Sequence, residues 1–599
     1  MNKTWRFSIL FVCAFALILS SCQQNSQKID DVFSFAKTRQ NDLQLGVYIT
    51  AQAVNSLLSS EAGRREAVSL LRCNGITKAY VEVYRSGLVV DQQLLEKVRD
   101  YFLKNDIQVA GGIATVPGKN FGVHQEGPLG WFNWQNEKTQ QDLEKVVRMG
   151  AKVFDTFIVD DFFCTADTSA ESKAAKGTRS WSQYRRDLLV DLAEKIIIKP
   201  AKEVNPNIKV IIKYPQWYDR FHLFGYDVAR EPKLFDKVWV GTETRGQYTQ
   251  RYGFVQPYEG FVNFRWISSI AGNKIGGAWF DHGDCDANDF IEQAYQTVLA
   301  GAKEIILFSY FDFVNGHPGH HLLRMNVEKL ADLAKAVAEN PVTGVAAYKP
   351  ANSDAGGDLY IMDYIGMLGV PLVPVSKYPE GANVIFLPTQ AAADPDVLAK
   401  VQNSLQQKAT IIFTAGFLAT AKDGKKLAEI AGLNWPIRVS PMRTPLALEA
   451  KLKTTNANVL LSAKVRSGKI PFLTKKDNVF VLNTHTFSQA DFDAVGEVLL
   501  CPRQLQLLEI SQSWANKIRQ VFNARLGLKL DAPTRVTLQP LGQSGWFIQN
   551  YNQKETNITF SASDLGHVFN GFTGEEIDST GNQLQLILPP RSRIWLKRK

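Results

Sequence analysis

From about residue 42 onward, short runs of apolar, β-branched and aromatic residues alternate with stretches of helical length and mixed polarity. Leu43–Thr50, Lys78–Tyr84, Ile107–Val116, Val153–Cys164, Ile208–Tyr214, Lys237–Thr244, Gly276–Asp281 and Glu304–Phe311 read as strands that are apolar almost throughout. Strands of that kind belong to parallel sheets covered on both faces. Between them, Ser60–Cys73 is helical and stops at Asn74-Gly75, and Asp91 caps a helix with Leu94, Leu95, Val98 and Phe102 on one face. Asp289–Ala302 turns Phe290, Ala294, Val298 and Leu299 inward. Eight such strand–helix units predict an α/β chain whose residues 41–341 close into a (β/α)8 TIM barrel. The alternative, an open doubly wound sheet, lacks its Gly-rich phosphate loop after the first strand.

A second alternation runs over residues 342–500: Gly344–Tyr348, Pro371–Val375, Asn383–Leu387 and Thr410–Thr414 as strands, with helices near Leu359–Leu368 and Asp394–Gln407. Residues 501–599 switch to short segments divided by turn residues, Arg535–Leu541, Gly545–Tyr551, Asn557–Ser561, Leu584–Leu588 and Arg593–Lys597, which predict a small antiparallel β-domain. The strand ending Leu387-Pro388, a helix, and the strand ending Thr414-Ala415-Gly416 resemble the flavodoxin-type, amidotransferase-like domain that follows the barrel in family 42 β-galactosidases. No nucleophilic Cys stands at the turn, so the resemblance implies a structural or oligomerising unit, with a homo-oligomer through residues 342–500 as one expected partner.

Charge changes the picture little. The chain has 599 residues, 45% hydrophobic and 21% charged, and its net charge of +9 is dispersed rather than gathered into basic blocks, which gives no nucleic-acid footprint. The N-terminus changes it more. Lys3 and Arg6 precede the apolar run Phe7–Leu19, too short for a normal membrane span. Leu19-Ser20-Ser21-Cys22 then resembles a bacterial lipobox. The resemblance implies that residues 1–22 are a signal peptide and that Cys22 is lipidated. It also implies an enzyme anchored to a membrane of the cell envelope, periplasmic or surface-facing, with residues 23–40 as a tether. Cys73, Cys164, Cys285 and Cys501 show neither metal-ligand spacing nor a disulfide framework, though Cys164 and Cys285 both follow acid-bearing strand ends.

The chemistry lies in how the strands end. In a barrel, the loops after the strands build the site, so side chains at the C-terminal strand ends are its candidates. These are Glu82, Asp160 and Asp161, Lys213 and Tyr214, Glu243 and Arg245, Asp281, His282 and Asp284, and Asp312. Two adjacent carboxylates ending a buried run are costly, because each raises the pKa of the other. Carboxyls without a metal motif or an activated Ser or Cys suit glycosidic cleavage, in which one carboxyl protonates the leaving oxygen and another attacks or activates water. Trp131 and Trp134 after the third strand, Trp217 and Tyr218 after the fifth, and Tyr248 and Tyr252 after the sixth offer flat faces to sugar rings. No cofactor is expected.

Acids after strands four and six resemble the α-galactosidase and α-glucosidase clans, which implies Asp161 as nucleophile and Glu243 as acid/base, with Lys213 and Arg245 as charge partners. The Asn-Glu pair and strand-seven Glu of family 42 are replaced by Asp160-Asp161 and Asp281, so β-galactosidase activity does not carry over. Val159-Asp160-Asp161-Phe162 also resembles O-GlcNAcase-type hexosaminidases, which implies substrate-assisted cleavage by Asp160 and Asp161 as an alternative. His317, His320 and His321 with Asp312 allow a metal-dependent hydrolase, although His317 as a sugar-binding loop residue is preferred. A glycan-binding lipoprotein on a degenerate barrel is the non-enzymatic alternative. The expectation is a glycoside hydrolase acting on an oligo- or polysaccharide through a two-carboxylate, retaining mechanism.

Overall fold

The computed structural model describes residues 26–127, 129–440, 448–465, 468–495, 500–503 and 506–599. The span expected as a signal peptide, residues 1–22 with Cys22, lies outside the described residues. Two compact units divide the chain, one running through Arg245 and resuming over Ala271–Lys335, the other comprising Gly246–Ile270 and Ala336–Lys599.

The first unit is the expected barrel. Its strands are β1 (Gln44–Ile49), β2 (Lys78–Arg85), β3 (Gln108–Ile113), β4 (Thr156–Val159), β5 (Lys209–Tyr214), β6 (Lys237–Gly241), β7 (Ile275–Asp281) and β8 (Glu304–Phe308). Each pairs in parallel with the next, and β8 closes on β1. One side chain from each strand fills the interior: Tyr48, Tyr80, Ala110, Ile158, Ile211, Trp239, Trp279 and Ile306. Because strand side chains alternate, the position two residues onward on each strand returns to the interior one layer nearer the C-terminal mouth. That layer holds Glu82, Gly112, Asp160, Lys213, Gly241, Asp281 and Phe308. Two of its glycines are required by crowding: a Cβ on Gly112 would meet the Tyr48 hydroxyl at 2.7 Å, and one on Gly241 would meet Glu243 Oε2 at 3.1 Å.

Several expectations change. Residues 26–38, read as tether, form a helix (Ser26–Thr38) that buries Phe33 and Ala36, with the Arg72 guanidinium over the Phe33 ring. The loop Thr165–Ser180 contains a helix, Ala170–Lys176, capped by Ser169. Buried Asp167 bonds Ser169 and Ser172 and accepts from the Glu126 N–H, which ties the loop down. Residues 246–270, within the expected barrel span, pack instead in the second unit. There Trp266 Nε1 donates to the Lys349 carbonyl at 2.8 Å and the Tyr258 hydroxyl to the Leu372 carbonyl at 3.1 Å.

The second unit carries a mixed sheet of β9 (Val345–Tyr348), β10 (Leu372–Val375), β11 (Val384–Leu387), β12 (Thr410–Thr414), β13 (Asn458–Val465), β14 (Gly468–Lys476) and β15 (Val479–Leu482), in the order β10-β9-β11-β12-β15-β14-β13. Its first five members are parallel and the hairpin at the edge antiparallel. Beyond residue 527 two small antiparallel sheets, of three and five strands, share an apolar core around Trp546, Ile558 and Phe560. No helix among the described residues is long and apolar enough to cross a membrane.

Candidate active site

The mouth of the barrel gathers acids from four strands and three cations to hold them. Lys213, on β5 and 1% exposed, donates its ammonium to Asp161 Oδ2 at 2.7 Å and to Glu243 Oε1 at 2.6 Å. The same ammonium lies 4.5 Å from the centre of the Trp279 ring, which supports its charge from below. Burial disfavours a charged Lys213, but Asp161 and Glu243 more than offset it and raise its pKa.

Arg245 follows β6 with a left-handed backbone (φ +54°), and its Nε and Nη2 clamp Asp281 at 2.7 and 2.6 Å. The Gln216 amide, turned so that its nitrogen faces Glu243, donates to Oε2 at 2.8 Å and accepts from Arg245 Nη1 at 3.0 Å. A continuous line therefore runs from Asp281 through Arg245 and Gln216 to Glu243. Burial pushes the Asp281 carboxyl up, but the twice-bonded guanidinium overrides this and holds it below the ordinary range. Glu243 moves the other way. Burial lifts it to about 7 against the attraction of Lys213, with Asp161 adding to the rise.

On the other side, Glu82 accepts from the Tyr48 hydroxyl at 2.8 Å, the Ala51 N–H at 2.7 Å and the Arg85 guanidinium at 2.9–3.0 Å. Asp160, 1% exposed, uses Oδ1 to accept from the Thr115 N–H, the Thr115 hydroxyl and the Phe162 N–H, at 3.0, 3.1 and 3.2 Å. Burial first, and Asp161 second, lift its carboxyl to about 7. The Tyr226 hydroxyl donates to the Asp161 carbonyl and fixes the turn that presents this aspartate. At the rim, His282 Nε2 meets Asp312 Oδ1 at 3.0 Å, and that bond raises the pKa of the histidine.

The structure brings together Glu82, Asp160, Asp161, Lys213, Glu243, Arg245 and Asp281, with His282 and Asp312 beside them. Other sequence-based candidates stand elsewhere. Trp134 is fully buried, donates to the Cys164 carbonyl at 2.8 Å and packs edge-on to Phe132 and Phe163; it is core, not a sugar platform. Trp131 is buried against Phe224, and Trp217 is also buried. Tyr214 follows inward-facing Lys213 and so faces the outer layer, where it bonds Glu231 at 3.0 Å and packs on Phe221 and Tyr226. The aromatic strand ends were apolar because they pack beneath loops. Phe308 is different: of the aromatic residues lining the barrel it alone, among the described residues, is partly exposed, with the Arg85 guanidinium 5.4 Å from its ring centre.

The histidine cluster does not converge. His317 bonds the Cys285 carbonyl at 3.1 Å and accepts from the Gly319 N–H, His320 is buried between Phe290 and Phe313, and His321 is exposed. Burial lowers the His320 pKa to about 3. Among the described residues, no three His, Cys, Asp or Glu side chains are placed to hold a metal ion. Cys73, Cys164, Cys285 and Cys501 are not joined in disulfides.

Sequence reasoning missed Arg85, Gln216, Thr115 and Phe308. Arg85 was visible as the residue ending the strand that carries Glu82. Gln216 gave no signal, being uncharged and in a loop.

Residues 28–331 match the family model described as "Probable glycosyl hydrolase, catalytic domain". The chain belongs to that family. It is a glycoside hydrolase, and the matched span contains every residue of the mouth. Residues 339–484 of the hydrolase match a model for the second domain of "Uncharacterized protein SSO3021". That protein, from Saccharolobus solfataricus, is 25% identical over 423 residues, which cover 65% of this chain and 68% of the relative. Among solved structures, a catalytic mutant of Gan42B, a GH42 β-galactosidase from G. stearothermophilus, matches with a TM-score of 0.63 at 11% identity, over 93% of the hydrolase and 98% of that chain. α-L-Fucosidase isoenzyme 2 from Paenibacillus thiaminolyticus matches with a TM-score of 0.59 at 11% identity, over 92% and 98%. At such identities the likeness shows the fold.

Proposed function

We propose that this hydrolase cleaves an oligo- or polysaccharide by a retaining, two-carboxylate mechanism, with Asp161 as nucleophile and Glu243 as acid/base. The observation that carries this reading is the shared ammonium of Lys213. Two oxygens bonded to one nitrogen at 2.7 and 2.6 Å stand at most about 5.3 Å apart. Retaining enzymes need roughly 5–5.5 Å between their carboxyls, and inverting ones roughly 6.5–9.5 Å, to admit a water.

The environments of the two carboxyls suit their parts. Lys213 donates to Asp161 Oδ2 and orients that carboxyl for attack on the anomeric carbon. Glu243 holds its proton up to about neutral pH and gives it to the leaving oxygen. Attack forms a glycosyl ester on Asp161. Glu243, now ionised, then takes a proton from water, whose oxygen displaces the aspartate and releases the sugar. Asp281, clamped by Arg245, positions the acid rather than reacting.

Leu19-Ser20-Ser21-Cys22 supports placing the enzyme on the cell envelope through lipid on Cys22. The parallel strands within residues 345–482 support an amidotransferase-like domain, and the turn without a nucleophilic Cys supports a structural or oligomerising role for it.

The test is turnover of a panel of 4-nitrophenyl glycosides and oligosaccharides by the full-length protein in detergent. Asp161→Asn and Glu243→Gln are each expected to lower kcat by about a thousandfold or more while thermal unfolding stays close to wild type. Full activity in both variants would remove the pair from the reaction. A glycan bound but never cleaved would instead favour a binding protein.

A further inference from the structure

We infer that Asp160 is a neutral carboxylic acid in the resting site and that its Oδ2–H is a hydrogen-bond donor to the sugar, a role that rests on the reading of Asp161 and Glu243 as the reacting pair.

The charges at the mouth do not balance without it. Among the described residues, five carboxyls gather there, those of Glu82, Asp160, Asp161, Glu243 and Asp281, against the three cations Arg85, Lys213 and Arg245. Each cation is committed. Arg85 donates three times to Glu82, Arg245 clamps Asp281, and Lys213 bonds Asp161 and shares itself with Glu243. Two negative charges remain, in a place nearly sealed from water. Unpaired buried carboxylates are so costly that they take up protons instead. One of those protons belongs to Glu243, the acid of the reaction. The second must sit on another carboxyl.

Geometry selects Asp160. Its Oδ1 has three donors, so that oxygen is an acceptor and carries no proton. Its Oδ2 is buried, accepts no hydrogen bond, and stands 3.7 Å from the nearest Arg85 nitrogen, too far for one. The charged and titratable groups that face it are Glu82 and Arg85 from β2, Tyr48 from β1, Asp161 beside it and the buried Cys164 thiol beyond. Of these, Arg85 is held by Glu82 and Tyr48 donates to Glu82, which leaves Oδ2 as the protonated oxygen. Burial and the Asp161 charge push its carboxyl in the same direction. An acid at this position, next to the nucleophile, offers its O–H to an oxygen substituent close to the anomeric carbon, a hydroxyl or an acylamino carbonyl. It keeps the proton throughout and so is a binding and positioning group.

The test compares Asp160→Asn and Asp160→Ala in the full-length protein, with the 4-nitrophenyl glycoside that the wild type hydrolyses fastest. An asparagine amide keeps the acceptor at Oδ1 and places an N–H donor where Oδ2–H stood. Asp160→Ala is expected to lose ten- to a hundredfold, as an order of magnitude, in kcat/KM. Asp160→Asn should retain about tenfold more than the alanine variant, and the alkaline limb of its pH profile should fall with one proton where the wild type falls with two. Infrared spectra of substrate-free protein provide a readout independent of turnover. Near neutral pH the wild type should show one protonated-carboxyl band that Asp160→Asn lacks. Equal damage in both variants, or identical carboxyl bands in wild type and Asp160→Asn, would overturn the assignment. Should Glu243→Gln keep full turnover, the reading of the reacting pair fails by itself, and the infrared comparison still decides Asp160.

Discussion

At the scale of single residues, the site is an exercise in separating carboxyls by their partners. Asp281 and Glu243 are both buried acids near Arg245, yet the first is held below the ordinary range and the second rises to about 7. The difference is the bidentate clamp on Asp281, against the longer approach of 3.9 Å to Glu243. Removing the clamp should transfer the cation. In Asp281→Asn, Arg245 loses its charged partner and its field acts on Glu243, which lowers the pKa of the acid. The alkaline limb of kcat/KM, expected near pH 7 in the wild type, should move to lower pH, and a pH–rate profile checks it. An unchanged limb would mean that the line through Gln216 does not tune the acid. These roles were only partly legible beforehand. The charged strand-end residues stood out because their cost needs a reason, whereas Gln216 and Thr115 are ordinary polar residues whose value comes from what the fold sets beside them.

At the scale of elements, the strands do more than form a wall. Their alternation lifts every second side chain into the barrel, so Ile158 and Ile211 fill its core and Asp160 and Lys213, two residues on, become its chemistry. The same alternation turns Tyr214 away, which no reading of strand ends by proximity alone could separate. The stretch after β4 shows the loop counterpart. Asp167 ties Ser169, Ser172 and the Glu126 N–H together and so fixes the helix Ala170–Lys176 beside the mouth. Asp167→Ala removes the acceptor of four hydrogen bonds, from the Glu126 and Ser169 N–H groups and the Ser169 and Ser172 hydroxyls, and should cost about 1–3 kcal/mol in chemical denaturation, with a smaller effect on kcat. A variant as stable as wild type would show this network to be dispensable.

At the scale of the whole molecule, buried acids recur beyond the active site. In the second unit Asp358 accepts from Thr389, after β11, and from Thr414, which ends β12, and Glu449 lies beside it, its pKa raised by burial and by the Asp358 charge. A carboxyl that keeps its proton in the native state above its unfolded value binds more protons when folded. Stability then falls as pH rises from about the unfolded value, near 4.3, through the folded one. Glu449→Gln cannot ionise. It should unfold close to wild type near pH 4 and at a higher temperature than wild type near pH 8, as followed by thermal denaturation. A gap that stays constant with pH would contradict the sign.

The periodicity of the sequence by itself determined the eight-stranded barrel, the second α/β sheet and the antiparallel end, because burial on one or both faces writes itself into the spacing of apolar residues. Strand ends likewise exposed Asp160, Asp161, Lys213, Glu243 and Asp281, since an acid ending an apolar run is visible in one dimension. Only the tertiary structure decided which acid has which partner, that Trp134 and Tyr214 are core while Phe308 and Arg85 line the mouth, and that residues 246–270 belong to the second unit. Those outcomes depend on distances of a few ångströms between residues far apart in sequence, and a linear pattern carries burial but not partnership.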